Sequence, residues 1–453
     1  MPAFNSHGCR LDICLFLAAA MAMPDTSPSA AAESIPLTTA IQPAGTVSFK
    51  LHTERAWRNG AGEENETVTF LRIPNLGEFR LQKDSSAVGF GWRWLGAAGA
   101  PNFLPLVPEL PGPETYYVQF TWDARLGNCD FYVNGTPMRD PKLPFEPWQF
   151  ENQPAAIEIA DGSFRLSNVE TSAHYLAPVA ARREVPPELL DRRAEVFGCE
   201  KKPEPMALDG RLGRLLYEAA EARKGTGPIC RNGPEGASHK LDLSPFPPWV
   251  MEGPGEVSFA DGWMRMRSTR PDAGRDENGH IVYWCPRDFP ARFVAEWDAQ
   301  MLRDAGLVIV FFAAKGEHGE DIFHPSLPKR DGTFTDYTRG AINSYHVSYY
   351  ASTPGFPGRA TANLRKNNQF YLVANGEVAI PAGDGRVHHV RLVKDGPHIQ
   401  FQTDGRVVID YIDPGDERYG PVHGGGKIGF RQMQWTVAQY RNFRVTELHA
   451  ASE

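Results

Sequence analysis

The sequence is poor in cysteine, and the few cysteines that it has lie far apart. Six occur in 453 residues, and those after residue 32 are Cys129, Cys199, Cys230 and Cys285. This spacing excludes a Cys-x-x-Cys redox or zinc motif. In an exported protein Cys199 and Cys230 could form a disulfide, and the sequence equally allows buried or free thiols.

Long hydrophobic runs and basic tracts are also missing. After the amino terminus no stretch reaches the roughly 18 apolar residues that a membrane-spanning helix needs, so no membrane span is predicted. The formal net charge is −8 and the isoelectric point is about 5.9, which predicts no nucleic acid partner. Gly-x-Gly-x-x-Gly, P-loop and Gly-x-Ser-x-Gly motifs are absent, which argues against nucleotide enzymes and standard serine hydrolases.

The amino terminus has the pattern of an export signal. Residues 13–23 read ICLFLAAAMAM, too short to span a bilayer, and a small-residue stretch that could be cleaved near residues 30–32 follows. We therefore expect a signal peptide over residues 1–32 and a secreted or periplasmic protein. Because Arg10 is offset by Asp12, a misassigned start or a lipoprotein-like leader at one of the two early cysteines is the alternative.

The remainder is rich in turn-forming residues and in short alternating runs. With 43 glycines, 38 prolines and 11% aromatic residues, the composition is typical of many short strands. Strand patterns fill residues 33–177 and 246–448, whereas residues 178–245 contain apolar residues at helical spacing. No alternation of strands with helices occurs. The sequence thus predicts an all-β protein, with two jelly-roll sandwiches joined by a partly helical connector.

Both predicted sandwiches resemble known families in their order of segments. In the second, INSYHVSYYAS, ATANLRKN, QFYLVANG and GKIGFRQM resemble the YesU-like family of unknown function, in the concanavalin A-like lectin and glucanase superfamily. In the first, TYYVQFTWDARLGNCDFYVNG resembles the late hairpin of laminin-G-like sandwiches. The resemblance implies a concanavalin-like jelly roll and a carbohydrate context. The family supplies no agreed reaction or catalytic residues.

The main candidate site lies in two polar strands within residues 340–368. Strand alternation predicts that His346 and Tyr350 share one face, where a base and an acid could catalyse β-elimination of a uronate polysaccharide. Asn363 and Arg365, on one face of the next strand, would bind the substrate and neutralise the uronate carboxylate. The alternatives are sugar binding without catalysis and a solvated polar face without function.

Aromatic side chains that could stack on sugar rings complete this candidate site. Tyr337 and Trp435 are the substrate-binding candidates in the second sandwich, and Trp92 and Trp94 are those in the first. For each of them, burial in a sandwich core is an equally good interpretation. The long polar loop at residues 315–339, which contains Tyr337, is expected to wall a ligand cleft.

A second arrangement, in the strand FVAEWDAQ, would suit glycoside hydrolysis. Glu296 and Asp298 should share one face about 7 Å apart, a separation near that used by paired carboxylates in glycosidases. The strand resembles the Glu-x-Asp-x-x-Glu motif of jelly-roll glucanases, but Gln300 and Met301 stand where the last acid would fall. The alternative is an acidic strand that faces solvent.

Metal binding is weakly indicated. His318, Glu320, Asp321 and His324 fit no standard zinc spacing, so no catalytic metal is predicted. Scattered acids could supply oxygen ligands to a structural calcium ion. These are Asp404, Asp410, Asp413 and Asp416.

The sequence as a whole predicts an exported carbohydrate-active protein whose partner is a polysaccharide or an oligosaccharide. One hypothesis is a polysaccharide-degrading enzyme, a lyase or a glycosidase, with its cleft in the carboxy-terminal jelly roll. The other is a lectin-like protein that binds carbohydrate without turnover. The sequence does not select a glycan or an oligomeric state.

Overall fold

The structure is a computed structural model whose described part omits both termini and several internal stretches. It describes residues 33–36, 43–73, 77–94, 106–110, 112–124, 128–137, 156–159, 164–176, 181, 183–189, 235–240, 249–271, 279–352, 362–376, 378–381 and 383–448. The predicted signal peptide, most of the predicted connector, and Cys199 and Cys230 lie outside these residues. The side chains of Trp92 and Trp94 are also outside the described part.

The amino-terminal half consists of short strands. They are β1 (Glu33–Pro36), β2 (Ala44–Thr53), β3 (Trp57–Arg58), β4 (Glu66–Ile73), β5 (Gly77–Lys83), β6 (Val88–Trp94), β7 (Leu106–Val107), β8 (Glu109–Leu110), β9 (Glu114–Asp123), β10 (Asn128–Val133), β11 (Thr136–Pro137), β12 (Ala156–Ile159) and β13 (Phe164–Ser172).

These strands form two antiparallel sheets around an aromatic core. One sheet has the order β1-β12-β4-β5-β6-β7 and the other β11-β10-β9-β2-β13, while β3 pairs with β8. Phe79 lies at the centre, with its ring 5.0 Å from that of Phe49 and 6.0 Å from that of Phe120. The alternation of apolar residues along β2 and β9 supplies one side of this core.

The carboxy-terminal half follows the same plan with longer strands. They are β14 (Glu235–Lys240), β15 (Val250–Glu252), β16 (Gly255–Ala260), β17 (Trp263–Ser268), β18 (Ile281–Trp284), β19 (Arg292–Met301), β20 (Gly306–Gly316), β21 (Ile342–Ser352), β22 (Asn363–Asn367), β23 (Tyr371–Asn375), β24 (Val387–Asp395), β25 (His398–Thr403), β26 (Arg406–Ile412), β27 (Lys427–Gln432) and β28 (Val437–Leu448), with a short helix, α1 (Phe334–Thr338), between β20 and β21.

Two antiparallel sheets make up this half. The eight-stranded sheet has the order β16-β17-β28-β19-β24-β25-β26, with β14 also paired to β28. The seven-stranded sheet has the order β15-β18-β27-β20-β21-β22-β23. Between them Trp297 of β19 is fully buried, and its ring lies 5.4 Å from that of Phe430 on β27. The prediction of an all-β protein built from jelly-roll sandwiches is confirmed.

The structure also bears on the predicted connector and on the predicted lack of a membrane span. Strand β14 falls within the stretch predicted as connector, and it pairs with the last strand of the carboxy-terminal half. Among the described residues no helix is long and apolar enough to cross a membrane.

A buried asparagine joins the two halves. The Asn59 amide donates to the Ser86 and Leu372 carbonyl oxygens, both at 2.9 Å. Its Oδ1 accepts from the Tyr419 hydroxyl at 2.7 Å and from Arg418 Nη2 at 3.1 Å. Asn59 is fully buried, so each of these bonds replaces one that water would otherwise make.

We expect Asn59→Ala to lower the free energy of unfolding by about 1–3 kcal/mol, because buried groups of both halves lose their partner. Urea unfolding of the full chain measures this. Asn65→Ala, at an exposed position in the same half, is the matched control and should change stability by less than about 0.5 kcal/mol. Equal effects of the two substitutions would contradict a structural role for Asn59.

Candidate functional site

A β-bulge separates the two residues predicted to be catalytic. Val308 pairs with Tyr350 while the next residue, Ile309, pairs with Ser348, so Tyr349 is an extra residue in β21. Tyr349 and Tyr350 both point into the core between the sheets. His346 instead contacts Phe311 on the outer side of the seven-stranded sheet. The expectation that His346 and Tyr350 share a face is therefore wrong.

The predicted site residues on β21 and β22 are buried and make internal contacts. Tyr350 is 2% exposed, and its hydroxyl donates to the Asp304 carbonyl oxygen at 2.6 Å. His346 Nδ1 lies 3.0 Å from the amide nitrogen of Asn367. These contacts hold the strands together and leave both side chains almost without solvent access.

The two predicted substrate-binding residues on β22 are used in the same way. Arg365 Nη1 donates to the Phe370 carbonyl oxygen at 2.6 Å, and its guanidinium stacks 3.7 Å from the centre of the Phe370 ring. Asn363 Oδ1 accepts from the Asn375 amide at 3.0 Å. Both are 4% exposed, so neither presents its polar group to a ligand at this surface.

The loop predicted to wall a cleft closes this face of the seven-stranded sheet. Its Ile322, Phe334 and Tyr337 pack with Trp284 and Phe311 of the sheet in one buried cluster. The ring of Tyr337, which is fully buried, lies 5.6 Å from that of Phe311. Tyr337 thus belongs to a packed interior instead of a sugar-stacking surface.

A buried carboxylate fixes the loop in place. Glu252 Oε2 accepts from the Tyr337 hydroxyl at 2.8 Å and from Trp284 Nε1 at 2.9 Å, and Glu252 Oε1 accepts from Arg330 Nη2 at 2.7 Å. The Tyr337 hydroxyl in turn accepts from the Gly332 backbone N–H at 3.0 Å. Burial and the Glu252 charge raise the pKa of Tyr337 well above its usual value, so it remains a neutral donor.

The remaining predicted residues do not converge. Trp435 is half-buried in the turn between β27 and β28. Three of the proposed calcium ligands are paired with basic side chains, Asp413 with Lys366, Asp404 with His388 and Asp410 with His398, at 2.6–2.7 Å. Nowhere in the described ranges do three His, Cys, Asp or Glu side chains come together as metal ligands.

The outer side of the eight-stranded sheet carries cross-strand rows of polar residues, and we call nine of these residues the charged face. It consists of Arg265, Glu296, Asp298, Gln300, His389, Arg391, Gln439, Arg441 and Arg444. The prediction that Glu296 and Asp298 share one face is confirmed, because one histidine, His389, reaches both.

The first row crosses β24, β19 and β28. Glu296 lies between Arg391, whose Nε is 3.7 Å from Glu296 Oε1, and Arg444, whose Nη2 donates to Glu296 Oε2. The burial of Glu296 acts to raise its pKa, but the Arg444 hydrogen bond and the charges of Arg444, Arg391 and His389 outweigh it, so this pKa is lowered. Glu296 is therefore an anion at neutral pH.

The second row is built in the same way around Asp298. Its Oδ1 lies 3.2 Å from His389 Nδ1, and its Oδ2 accepts from Arg441 Nε at 3.0 Å and from the Asn442 amide at 2.8 Å. Burial opposes ionisation of Asp298, but these hydrogen bonds and the Arg441 charge lower its pKa. Neither carboxyl group of the charged face holds a proton at neutral pH.

The basic side chains of the charged face are more exposed than its carboxylates. The side chains of His389 and Arg444 are each 51% exposed, whereas those of Glu296 and Asp298 are 18% and 15% exposed. At one edge, the Arg441 guanidinium lies 4.3 Å from the centre of the Trp263 ring. A ligand would therefore meet the arginines, the histidine and Trp263 first.

Strand alternation in the sequence identifies Glu296 and Asp298 but not their partners. His389 and Arg391 alternate with buried Val390 and Leu392 along β24. Such alternation marks polar residues on one face of a sheet that is buried on the other. It could have identified them as surface residues, but only the strand pairing brings them beside Glu296 and Asp298.

The fold defines a concanavalin-like jelly-roll domain whose eight-stranded sheet carries the charged face on its outer side. The family described as "Domain of unknown function (DUF1961)" matches residues 242–445. The uncharacterized protein YesU of Bacillus subtilis (strain 168) is 40% identical over 203 residues, which are 44% of this chain and 88% of that protein. The chain therefore belongs to this family through its carboxy-terminal half.

Solved structures similar to this chain include two from Bacillus subtilis. One is a protein of unknown function with a galectin-like fold, 36% identical, which covers 48% of this chain and 98% of its own with a TM-score of 0.43. The other is the carbohydrate-binding module CBM66, 13% identical, which covers 43% of this chain and 94% of its own with a TM-score of 0.29.

We expect Tyr337→Phe to destabilise the protein by about 1–3 kcal/mol, because buried Glu252 loses a hydrogen-bond donor. Urea unfolding measures the change. Tyr283→Phe is the control: Tyr283 is also buried and stacks on Trp249, and its substitution should cost less than about 1 kcal/mol. A Tyr337→Phe protein as stable as the control would show that the loop does not depend on this contact.

We also expect the charged face to add stability that acid removes. A lowered pKa in the folded state stabilises the fold above the unfolded-state pKa, and this stability is lost as the pH falls through the folded-state value. Between about pH 6 and pH 3, the unfolding free energy should fall more steeply for the native chain than for the Glu296→Gln/Asp298→Asn variant. The pairs are partly exposed, so each should contribute less than about 1 kcal/mol. Equal slopes would contradict the assignment.

Proposed function

We propose that the carboxy-terminal domain binds a glycan on the charged face. The observation that carries the proposal is the arrangement of exposed hydrogen-bonding side chains on rigid neighbouring strands, with Trp263 at the edge. Sugars offer hydroxyl groups to such donors and acceptors and an apolar ring face to an aromatic side chain. The family resemblance in the sequence supports a carbohydrate ligand. Export, predicted from residues 13–23, is part of this proposal.

We propose binding without turnover, as in a lectin. Hydrolysis of a glycosidic bond requires one carboxylic acid that can give a proton to the leaving oxygen. The lowered pKa values of Glu296 and Asp298 leave neither suited to that role. The predicted pair His346 and Tyr350 is buried on opposite faces of its strand, which supports a role for these residues in the fold.

Elimination is the second candidate function. His389 is half-exposed on the charged face beside Asp298 and Glu296, with Arg391 two residues further along β24 and Arg441 on β28. A histidine could remove the proton next to a uronate carboxylate while an arginine neutralises that carboxylate; the neighbouring C4–O bond then breaks, and the leaving oxygen takes a proton from water. This candidate moves the proposed lyase chemistry from His346 to His389.

The test is affinity electrophoresis of the full chain through gels that contain a panel of neutral and acidic polysaccharides. At least one polymer should retard the protein, and His389→Ala should weaken that binding about tenfold, equivalent to the loss of about 1.4 kcal/mol. His318→Ala, an exposed histidine in the loop over the other sheet, is the matched control. If no polymer retards the protein, glycan binding is wrong.

The same polymers separate binding from turnover. Unsaturated products absorb in the ultraviolet and report elimination, and released reducing ends report hydrolysis. Neither signal is expected. An elimination signal that His389→Ala abolishes would establish the second candidate and contradict binding without turnover.

A further inference from the structure

A β-bulge in β28 places Arg441 on the outer side of the eight-stranded sheet, beside Asp298. Asp298 pairs with Arg441, whereas two residues earlier on β19 the pairing partner is Arg444. The extra residue in β28 allows two arginines three positions apart to share one face, which simple alternation would forbid. Asn442, at the bulge, has a φ of 57°, a left-handed conformation that asparagine adopts more readily than most residues.

Two contacts fix the Arg441 guanidinium through only part of its donors. Its Nε donates to Asp298 Oδ2 at 3.0 Å, and its Cζ lies 4.3 Å from the centre of the Trp263 ring. In the part of the chain that the structure describes, neither Nη1 nor Nη2 of Arg441 makes a hydrogen bond. The side chain is 38% exposed, so these held nitrogens are donors that a ligand can reach.

Asp298 keeps an acceptor position next to these donors. A carboxylate accepts at about four positions, and contacts from His389, Arg441 and Asn442 occupy three of them. Oδ1 has only the longest of these contacts, to His389 Nδ1 at 3.2 Å. An acceptor and two donor nitrogens thus lie side by side on adjacent strands.

The carboxylates around this pair are matched by basic side chains. Asp298 and Arg441 neutralise each other. Other carboxylates on this side of the sheet are also paired, Glu256 with Arg267, Asp395 with Arg292 and Asp410 with His398. A charged sugar would be attracted by one member of the Asp298–Arg441 pair and repelled by the other, so the pair favours neither sign of ligand charge.

We propose that the Asp298–Arg441 pair binds a neutral sugar unit through two adjacent hydroxyl groups. One hydroxyl donates to Asp298, and its neighbour accepts from Arg441 Nη1 or Nη2. A carboxylate only accepts and a guanidinium only donates, so together they suit a ligand with a donor and an acceptor on neighbouring carbon atoms. His389, on the β24 side of Asp298, borders the bound sugar. This inference rests on the proposed function and names the class of glycan.

The experiment measures the affinity of the full chain for soluble polymers by isothermal titration calorimetry. The probes are 1,4-linked galactan and glucomannan, whose units within the chain keep free hydroxyls on C2 and C3, and linear 1,3-linked glucan, whose units within the chain have no adjacent pair. At least one 1,4-linked polymer should bind about tenfold more tightly than the 1,3-linked glucan. Periodate oxidation followed by borohydride reduction, which breaks the C2–C3 bond, should weaken that binding about tenfold.

Arg441→Lys keeps the positive charge but removes the guanidinium fork. It should lower the affinity for the 1,4-linked polymer that binds about tenfold. Thermal unfolding should change little, because an ion pair that is partly exposed contributes little to stability. Arg339→Lys, the same substitution at an exposed position in the loop over the other sheet, is the matched control and should leave the affinity unchanged.

Several outcomes would overturn the inference while glycan binding stands. They are equal binding of the 1,3-linked glucan, undiminished binding after periodate treatment, tighter binding of polygalacturonate than of both neutral 1,4-linked polymers, and native affinity in Arg441→Lys. If Arg441→Lys unfolds more easily, the periodate comparison on the native chain decides. If another polymer retards the protein in the affinity gels but galactan and glucomannan do not bind, only this inference fails. If no polymer binds, the proposed function fails with it.

Discussion

The buried carboxylate of Glu252 anchors the loop that covers the outer side of the seven-stranded sheet. Tyr337, Trp284 and Arg330 all bind it, and the first and last of these belong to the loop at residues 315–339. Removing one partner of a buried charged group lowers the free energy of unfolding by far more than an exposed ion pair contributes to it. The loop is therefore held against the seven-stranded sheet, and the polar strand pair that dominates the sequence is closed off beneath it.

Further charged groups of this domain are buried and paired inside the fold. Asp413 and Lys366 form an ion pair between the two sheets, at 2.7 Å, and the Tyr345 hydroxyl donates to the same carboxylate. Burial lowers the pKa of nearby Lys394 to about 8. The segment that follows Asp413 carries Arg418 to Asn59 of the amino-terminal half. Buried charges thus hold loops and halves together, whereas the paired side chains of the charged face are partly exposed.

Local patterns predicted the fold well, because alternation and turn residues are properties of short segments. The same alternation placed Glu296 and Asp298 together on β19. The candidate pair on β21 failed because the extra residue at Tyr349 reverses the face of Tyr350, and nothing in SYHVSYY marks a bulge. The partners of Glu296 lie far along the chain, at Arg391 and Arg444, so only the register of three strands brings them together.

The most direct measurement is a crystal structure of the full chain with an oligosaccharide from the polymer that it binds most tightly. The account predicts electron density for the sugar over β19, β24 and β28, within hydrogen-bonding distance of Arg391, Arg444 or His389. Density beneath the 315–339 loop near His346, or on the amino-terminal sandwich, would contradict it.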